Sequence, residues 1–272
     1  MKIIKRNDEL FEYCLEKEIL IIPCEETRGI KFIKGEDDYR FATGKYEDEE
    51  IKPRLAMVDL GGRDVCMAIG RVMFRHILED RNAYYDADGV KIVESLKRGI
   101  NGRNPLTYLA SSLGVTALVE TSDSQFALGS RRDPAMHSSS KLLHGIAGYC
   151  EFGEDVYYKI DPYKDMTREI REEAGIRREC IIRMTLLGLC FHQMKIGANF
   201  IFYVKVGIDS SYFKQGGSWE NAIDSGEHRM FEIFTKEELF SVLTRDDVHY
   251  STRGAINQWL YSGNKLEGVP TI

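Results

Sequence analysis

The apolar residues of this chain fall into short runs and helical stripes that predict an ordered series of elements. Ile19 to Ile22, Ile30 to Ile33 and Leu55 to Leu60 are brief apolar runs of strand length. Asn7 or Asp8 can cap a short helix carrying Leu10, Phe11, Cys14 and Leu15 on one face. From Asp64 to Leu78 the apolar points Val65, Ala68, Val72 and Ile77 predict a helix, and a second helix is expected over Val90 to Ile100. After the turn-rich stretch Asn101-Gly102-Arg103-Asn104-Pro105 the pattern becomes strand-like. Val115 to Glu120 and Gln125 to Leu128 read as strands around the turn Ser122-Asp123-Ser124. Leu142 to Tyr149, Leu186 to His192 and Phe200 to Val206 are further extended segments. Thr235-Lys236-Glu237-Glu238 has the form of a capping box opening a helix that runs to Leu243. Ser251 or Thr252 starts a last helix with Ile256, Trp259 and Leu260 on it.

The pattern therefore divides near residue 105. Residues 1–104 form an expected N-terminal α/β domain of unknown role, and residues 105–272 a second domain. A length of 272 residues suits that division, being about twice a usual domain.

Composition narrows the classes of function. Apolar residues make up 43% and charged residues 29%, a globular balance able to bury a sizeable core. Lys plus Arg is 37 against 43 Asp plus Glu, a net charge of -6, which lacks the footprint of a general nucleic-acid binder. The acidic run Glu47 to Glu50 reads as a solvated loop. No run reaches the length of a membrane helix, and the N-terminus turns charged after four residues. The six cysteines are scattered without a C-x-x-C pair, which leaves zinc-ribbon and thioredoxin readings unsupported and suggests free thiols. The expectation is a soluble cytoplasmic protein with no membrane segment.

One helix concentrates carboxylates. In Arg168-Glu169-Ile170-Arg171-Glu172-Glu173-Ala174-Gly175-Ile176, Asp161 can cap the start, Pro162 suits the first turn and Gly175 the stop. At 100° per residue, Glu169, Glu172 and Glu173 lie within an arc of roughly 100°. Three negative charges on one face call for something positive, and hard divalent Mg²⁺ or Mn²⁺ prefers oxygen ligands. A solvated helix with an Arg168–Glu172 ion pair explains the same residues without a metal. Upstream, Ala147-Gly148-Tyr149-Cys150-Glu151-Phe152-Gly153-Glu154 places two glycines and two carboxylates in the approach to the helix.

The stretch from Gly148 to Ile176 resembles a Nudix box. Gly148 and Glu154 match its first half, and Arg168, Glu169, Ile170, Glu172, Glu173, Gly175 and Ile176 its second. Two departures are visible: 13 residues separate Glu154 from Arg168 where the pattern has seven, and Ala147 stands where many members have glycine. The resemblance implies a Nudix-type α/β/α sandwich with a mixed sheet over residues 105–272, preceded by the smaller α/β domain. It implies metal-dependent hydrolysis of the pyrophosphate bond in a nucleoside diphosphate linked to another moiety. The LGVTALVET and LLGLCFHQ segments are weakly similar to a branch that hydrolyses UDP-sugars, and an ADP-ribose-like substrate is the other candidate. By resemblance, Glu169, Glu172 and Glu173 hold Mg²⁺ or Mn²⁺, with the Ala147 carbonyl as a further ligand. Arg168 steadies the carboxylates, and a later loop adds one more carboxylate. Glu227 is the candidate there, ahead of Asp224 and Glu220; Glu169 and Glu227 both stand as general base.

Other contacts are read from residue type. Arg131 and Arg132 follow a strand and can reach a phosphate, or serve as solvated turn charges. Tyr157, Tyr158 and Trp219 can stack on a base or pack on their own domain, and His192 reads as structural. His137 and His144 share no metal-ligand spacing with a cysteine. The runner-up function is a catalytically inactive Nudix-fold nucleotide-binding or regulatory module. Residues 1–104 can shape the pocket or support a homodimer.

Overall fold

The computed structural model describes residues 19–23, 30–38, 50–59, 65–85, 111–131, 142–153, 159–192, 197–214 and 216–262. The strands are β1 (Ile19–Pro23), β2 (Ile30–Lys34), β3 (Ile51–Asp59), β4 (Val65–Met73), β5 (Leu113–Glu120) and β6 (Phe126–Arg131). They continue with β7 (Leu143–His144), β8 (Ile146–Tyr149), β9 (Ile181–His192), β10 (Ala198–Val206) and β11 (His228–Phe234). The α-helices are α1 (Phe74–Tyr85), α2 (Pro162–Ala174), α3 (Glu238–Thr244) and α4 (Tyr250–Ser262). None of the described helices is long and apolar enough to cross a membrane.

The larger sheet runs β1-β9-β10-β5-β6-β11, with β8 on β5 and β7 on β6. It is mixed: β10 and β5 are parallel, while β10 and β9 are antiparallel. Period-2 alternation sorts β10 between two cores. Phe200, Phe202 and Val204 join Met166, Ile170 and Ala174 of α2, whereas Ile201 and Tyr203 join Leu239 and Val242 of α3 and Ile256 and Trp259 of α4. The sheet thus lies between α2 on one face and α3 with α4 on the other. This mixed α/β sandwich is the architecture expected for residues 105–272.

The first half of the chain is not confined to its own sheet. Strands β2, β4 and β3 form a smaller sheet, and Leu55, Met67 and Ile69 from it join the same core as Met166, Ile170 and Ala174 of α2. Strand β1 pairs antiparallel with β9, matching Ile19 to His192 and Pro23 to Gly188. The turn stretch at Asn101 to Pro105 lies outside the described residues, as do the helices expected from Asn7 and over Val90 to Ile100.

One element is corrected. The helix expected from Asp64 to Leu78 is instead strand β4 over Val65–Met73, followed by α1 from Phe74. Of the apolar points that suggested a helix, Ala68 and Val72 belong to a nearly continuous buried run, Met67 to Ile69 with Val72 and Met73, and Ile77 lies in α1. A strand covered on both faces reads this way, because successive residues point to opposite faces and both sets are buried here. Elsewhere the expected strands appear with shifted ends, and the segment expected over Leu142 to Tyr149 is two short strands, β7 and β8, on either side of Gly145. The capping box forms reciprocally, Thr235 N–H donating to Glu238 Oε2 at 2.7 Å and Glu238 N–H to Thr235 Oγ1 at 3.3 Å. The last helix starts at Tyr250, one residue before the expected Ser251.

Candidate active site

Helix α2 is placed by its ends. Asp161 Oδ1 accepts the N–H groups of Tyr163 and Lys164, each at 3.1 Å, a cap worth about 1 kcal/mol. Pro162 follows, where a missing N–H costs nothing. Gly175 closes the helix at φ 69, a left-handed geometry that favours glycine, and its N–H donates to the Arg171 carbonyl. Tyr212 Oη donates to the Ala174 carbonyl at 3.0 Å, and Asp224 N–H to the Glu172 carbonyl at 2.8 Å. These two bonds tie the segment before β11 to the C-terminal end of the helix.

The buried face of α2 carries charge as well as apolar residues. Asp165, Glu169 and Glu173 are buried beside Met166, Ile170 and Ala174. Glu173 Oε2 accepts the Ala147 N–H of β8 at 3.2 Å and lies 3.0 Å from His228 Nε2 at the start of β11. Glu169 rests on β8 itself: a Cβ built on Gly148 would come within 1.9 Å of its Oε1. Only a residue without a side chain allows that approach. Arg168 completes the group. Its Nη1 lies 2.8 Å from Glu169 Oε1 and 2.9 Å from Glu172 Oε2, and its Nη2 donates to the Tyr149 carbonyl at 2.9 Å. Glu151 and Asp165 stand further out, at 3.6 Å and 3.7 Å.

The electrostatics follow from burial. Desolvation pushes the Glu169 carboxyl up to about 8; Arg168 opposes the rise, and the charges of Glu173 and Glu172 add to it. Burial likewise lifts Asp165 to about 6, against the Glu151 N–H and Arg168. The Cys150 thiol is raised well above its usual range by burial, with Asp165 and Glu169 adding to the effect. It is a poor thiolate and a packing residue. In type, these residues fit a hard divalent cation: several carboxylates crowd one buried face, with one guanidinium offsetting them. Among the described residues, however, no three His, Cys, Asp or Glu side chains stand in a ready coordinating arrangement. Glu169 and Glu172 turn towards Arg168, and Glu173 towards Ala147 and His228.

Raised carboxyl values make stability depend on pH. The folded state holds the Glu169 proton between its ordinary value near 4.5 and about 8. The unfolded state releases it, so stability declines as pH rises through that window. Without added metal, Glu169→Gln is expected to match the parent near pH 4.5 and exceed its stability at pH 8.5, on the order of a few kcal/mol at most. Urea melts at the two pH values check it; equal stability of both proteins at pH 8.5 contradicts the assignment.

The structure brings Arg168, Glu169, Glu172, Glu173 and Ala147 together, Ala147 entering through its N–H. Glu227 is exposed, in the 3-10 turn Ser225–Glu227 directly before His228. Glu220 accepts the Gly216 N–H, and Asp224 is bound to α2 through its backbone. Arg131 ends β6 opposite His228 in the ladder, and its side chain lies outside the described residues. Arg132, Glu154, Tyr157, Tyr158 and His137 also lie outside them, as does the side chain of His192. Trp219 is not an open stacking surface: it is buried, packs edge-on against Phe231 and donates Nε1–H to the Lys214 carbonyl.

His228 is the residue that sequence reasoning passed over. It is fully buried, and its Nδ1 has no hydrogen-bond partner. The available signal was its place at the first position of an apolar strand, directly after a candidate carboxylate. His228→Leu should remove one of the two contacts that orient Glu173 and lower turnover about 10- to 100-fold, as loss of a carboxylate's supporting partner does. Steady-state kinetics alongside a melting curve decide it, and an unchanged turnover number would remove the positioning role.

No protein-family model matches the chain, and no curated protein matches it. Among solved structures it is similar to a Nudix hydrolase from Nitrosomonas europaea, at 18% identity over 56% of this chain and 89% of that one, with a TM-score of 0.39. It is also similar to a mutT/nudix family protein from Listeria innocua, at 12% identity, 57% and 94% coverage and a TM-score of 0.40. A C. elegans Ap4A hydrolase binary complex is a third, at 12% identity, 56% and 97% coverage and a TM-score of 0.32. With identities and TM-scores this low, the likeness carries no argument about activity. Of these three, the first is named a Nudix hydrolase and the second a mutT/nudix family protein, and each likeness spans a little more than half of this chain.

Proposed function

We propose that the protein hydrolyses the pyrophosphate bond of a nucleoside diphosphate linked to another moiety, a UDP-sugar or an ADP-ribose-like molecule, with Mg²⁺ or Mn²⁺. The observation that carries this reading is the junction of α2 and β8, where Glu169 lies on the Gly148 backbone and Glu173 bridges Ala147 to His228. Two buried carboxylates held this tightly against one strand, with Glu172 one turn away on Arg168, are costly unless charge neutralisation is their work. Glu169, Glu172 and Glu173 would hold the cation, together with the Ala147 carbonyl and Glu227. When bound, a divalent cation neutralises phosphate charge and makes water more acidic.

The chain's own groups do the rest. Arg168 keeps Glu169 and Glu172 from swinging apart, and His228 with the Ala147 N–H fixes the rotamer of Glu173. Glu169, with its proton affinity raised by burial, or the exposed Glu227 takes the proton from the attacking water. Arg131 and Arg132 are the proposed contacts to the phosphates. The test is phosphate release from UDP-sugars, ADP-sugars, ADP-ribose, dinucleotides and NTPs with either metal, a phosphatase being added to reveal nucleoside monophosphate. A strong hit on one class names the substrate; silence across the panel from folded protein overturns the hydrolase reading.

A further inference from the structure

The opposite flank of α2 carries a second concentration of charge, of the other sign. A groove of about 1180 Å³ runs along it, closed on its far side by the turn after the helix and the start of β9. Lys164, Arg168, Arg171, Arg177, Arg178 and Arg183 line it. Three acids share the lining, Asp161, Glu172 and Glu179. Six cations against three acids leave the lining with a surplus of three positive charges. Among the described residues, the side chains of Lys164, Arg171, Arg177 and Arg178 take part in no hydrogen bond or ion pair. A chain with net charge -6 has gathered this cationic surplus from two separate segments into one concavity.

The groove is also partly apolar. Ile182 is 46% exposed and Ile223 is 75% exposed, and both line it. Exposed isoleucines beside unpaired guanidinium groups are poor solvent-facing choices and good complements to a molecule with a phosphate end and a flat or apolar body. The groove's length is bounded by a 13-residue helix, roughly 20 Å, which suits a single small molecule better than a nucleic-acid strand. Glu169 and Glu173 lie on the buried side of the helix and do not line the groove, although Arg168, which does, is paired with Glu169.

We infer that this groove is a second ligand site, adjoining the carboxylate cluster at Arg168 and Glu172, that binds an organic polyphosphate with an apolar or aromatic body. Arginines of α2 and of the 177–183 segment hold the phosphates, and Ile182 and Ile223 cover the body. Because Arg168 borders both the groove and the carboxylates, ligand phosphates compete with Glu169 and Glu172 for its guanidinium.

Calorimetry on the full chain in EDTA tests this with ATP and inorganic triphosphate as probes. The hydrolase reading is left untouched by failure here, since no metal is present. ATP is expected to bind saturably and more tightly than triphosphate. The exposed pair R171E/R178E should weaken ATP at least about tenfold, the loss of one or two charge-assisted contacts, while E173Q leaves it unchanged. Ile182→Ser with Ile223→Ser should bring ATP down to the triphosphate level. Absent ATP binding, or equal binding in R171E/R178E at an unchanged melting temperature, overturns the site. A single-stranded oligonucleotide that binds more tightly than ATP and is lost in R171E/R178E overturns it in favour of a nucleic-acid surface.

Discussion

Glu173→Gln is expected to reduce hydrolysis on the order of a thousandfold at saturating Mg²⁺ while leaving the protein folded. Glu173 is buried, and one of its oxygens both accepts the Ala147 N–H and meets His228 Nε2. An amide of the same shape keeps one carbonyl oxygen for these contacts and removes the negative charge. The loss therefore reports on charge, and a melting temperature near or above the parent value separates it from damage to the fold. Glu172→Gln should behave similarly. Its side chain is only partly buried and bonded to Arg168 alone, so its structural cost is smaller still. Near-parental turnover in either variant, at full metal saturation, would end the metal-site proposal.

Gly148→Ala should be almost as damaging, for a steric reason. The new methyl would fall 1.9 Å from Glu169 Oε1 and 2.0 Å from its Cδ, so the carboxylate must leave its place on β8. A displacement of about 1 Å in a reacting group can cost on the order of a hundredfold in rate. The backbone itself needs no glycine for its dihedral angles here, since Gly148 is not among the residues of positive φ. Near-native stability with at least that loss in kcat is the expected pair of results. Full activity would mean that Glu169 works from another position, or not at all.

How much of this was readable in the chain alone differs by element. Helix α2 was legible throughout, because its signals are local: the Asp161 cap, Pro162, the Gly175 stop and the carboxylates at i, i+3 and i+4. The Arg168–Glu172 pair is equally local, being one helical turn apart. Strand β4 was misread because periodicity cannot separate a strand packed on both faces from a buried helix. His228 was passed over because its meaning lies 55 positions away, in Glu173. The sequence shows a histidine, and only the β11–β6 pairing carries it to the helix.

By itself, then, the sequence determined the carboxylate-bearing helix, its caps and the strand character of β5 and β10. Each depends on residues within a few turns or one strand of each other. The tertiary structure alone decided that β1, from the first hundred residues, is hydrogen-bonded to β9 in the larger sheet, and that Leu55, Met67 and Ile69 share a core with α2. It alone set the Glu169 carboxylate on Gly148 and the cationic groove on the other flank of the same helix. Strand pairing and side-chain burial join residues far apart in the chain. Their free energy comes from water excluded between surfaces that meet only after folding, which no local pattern encodes.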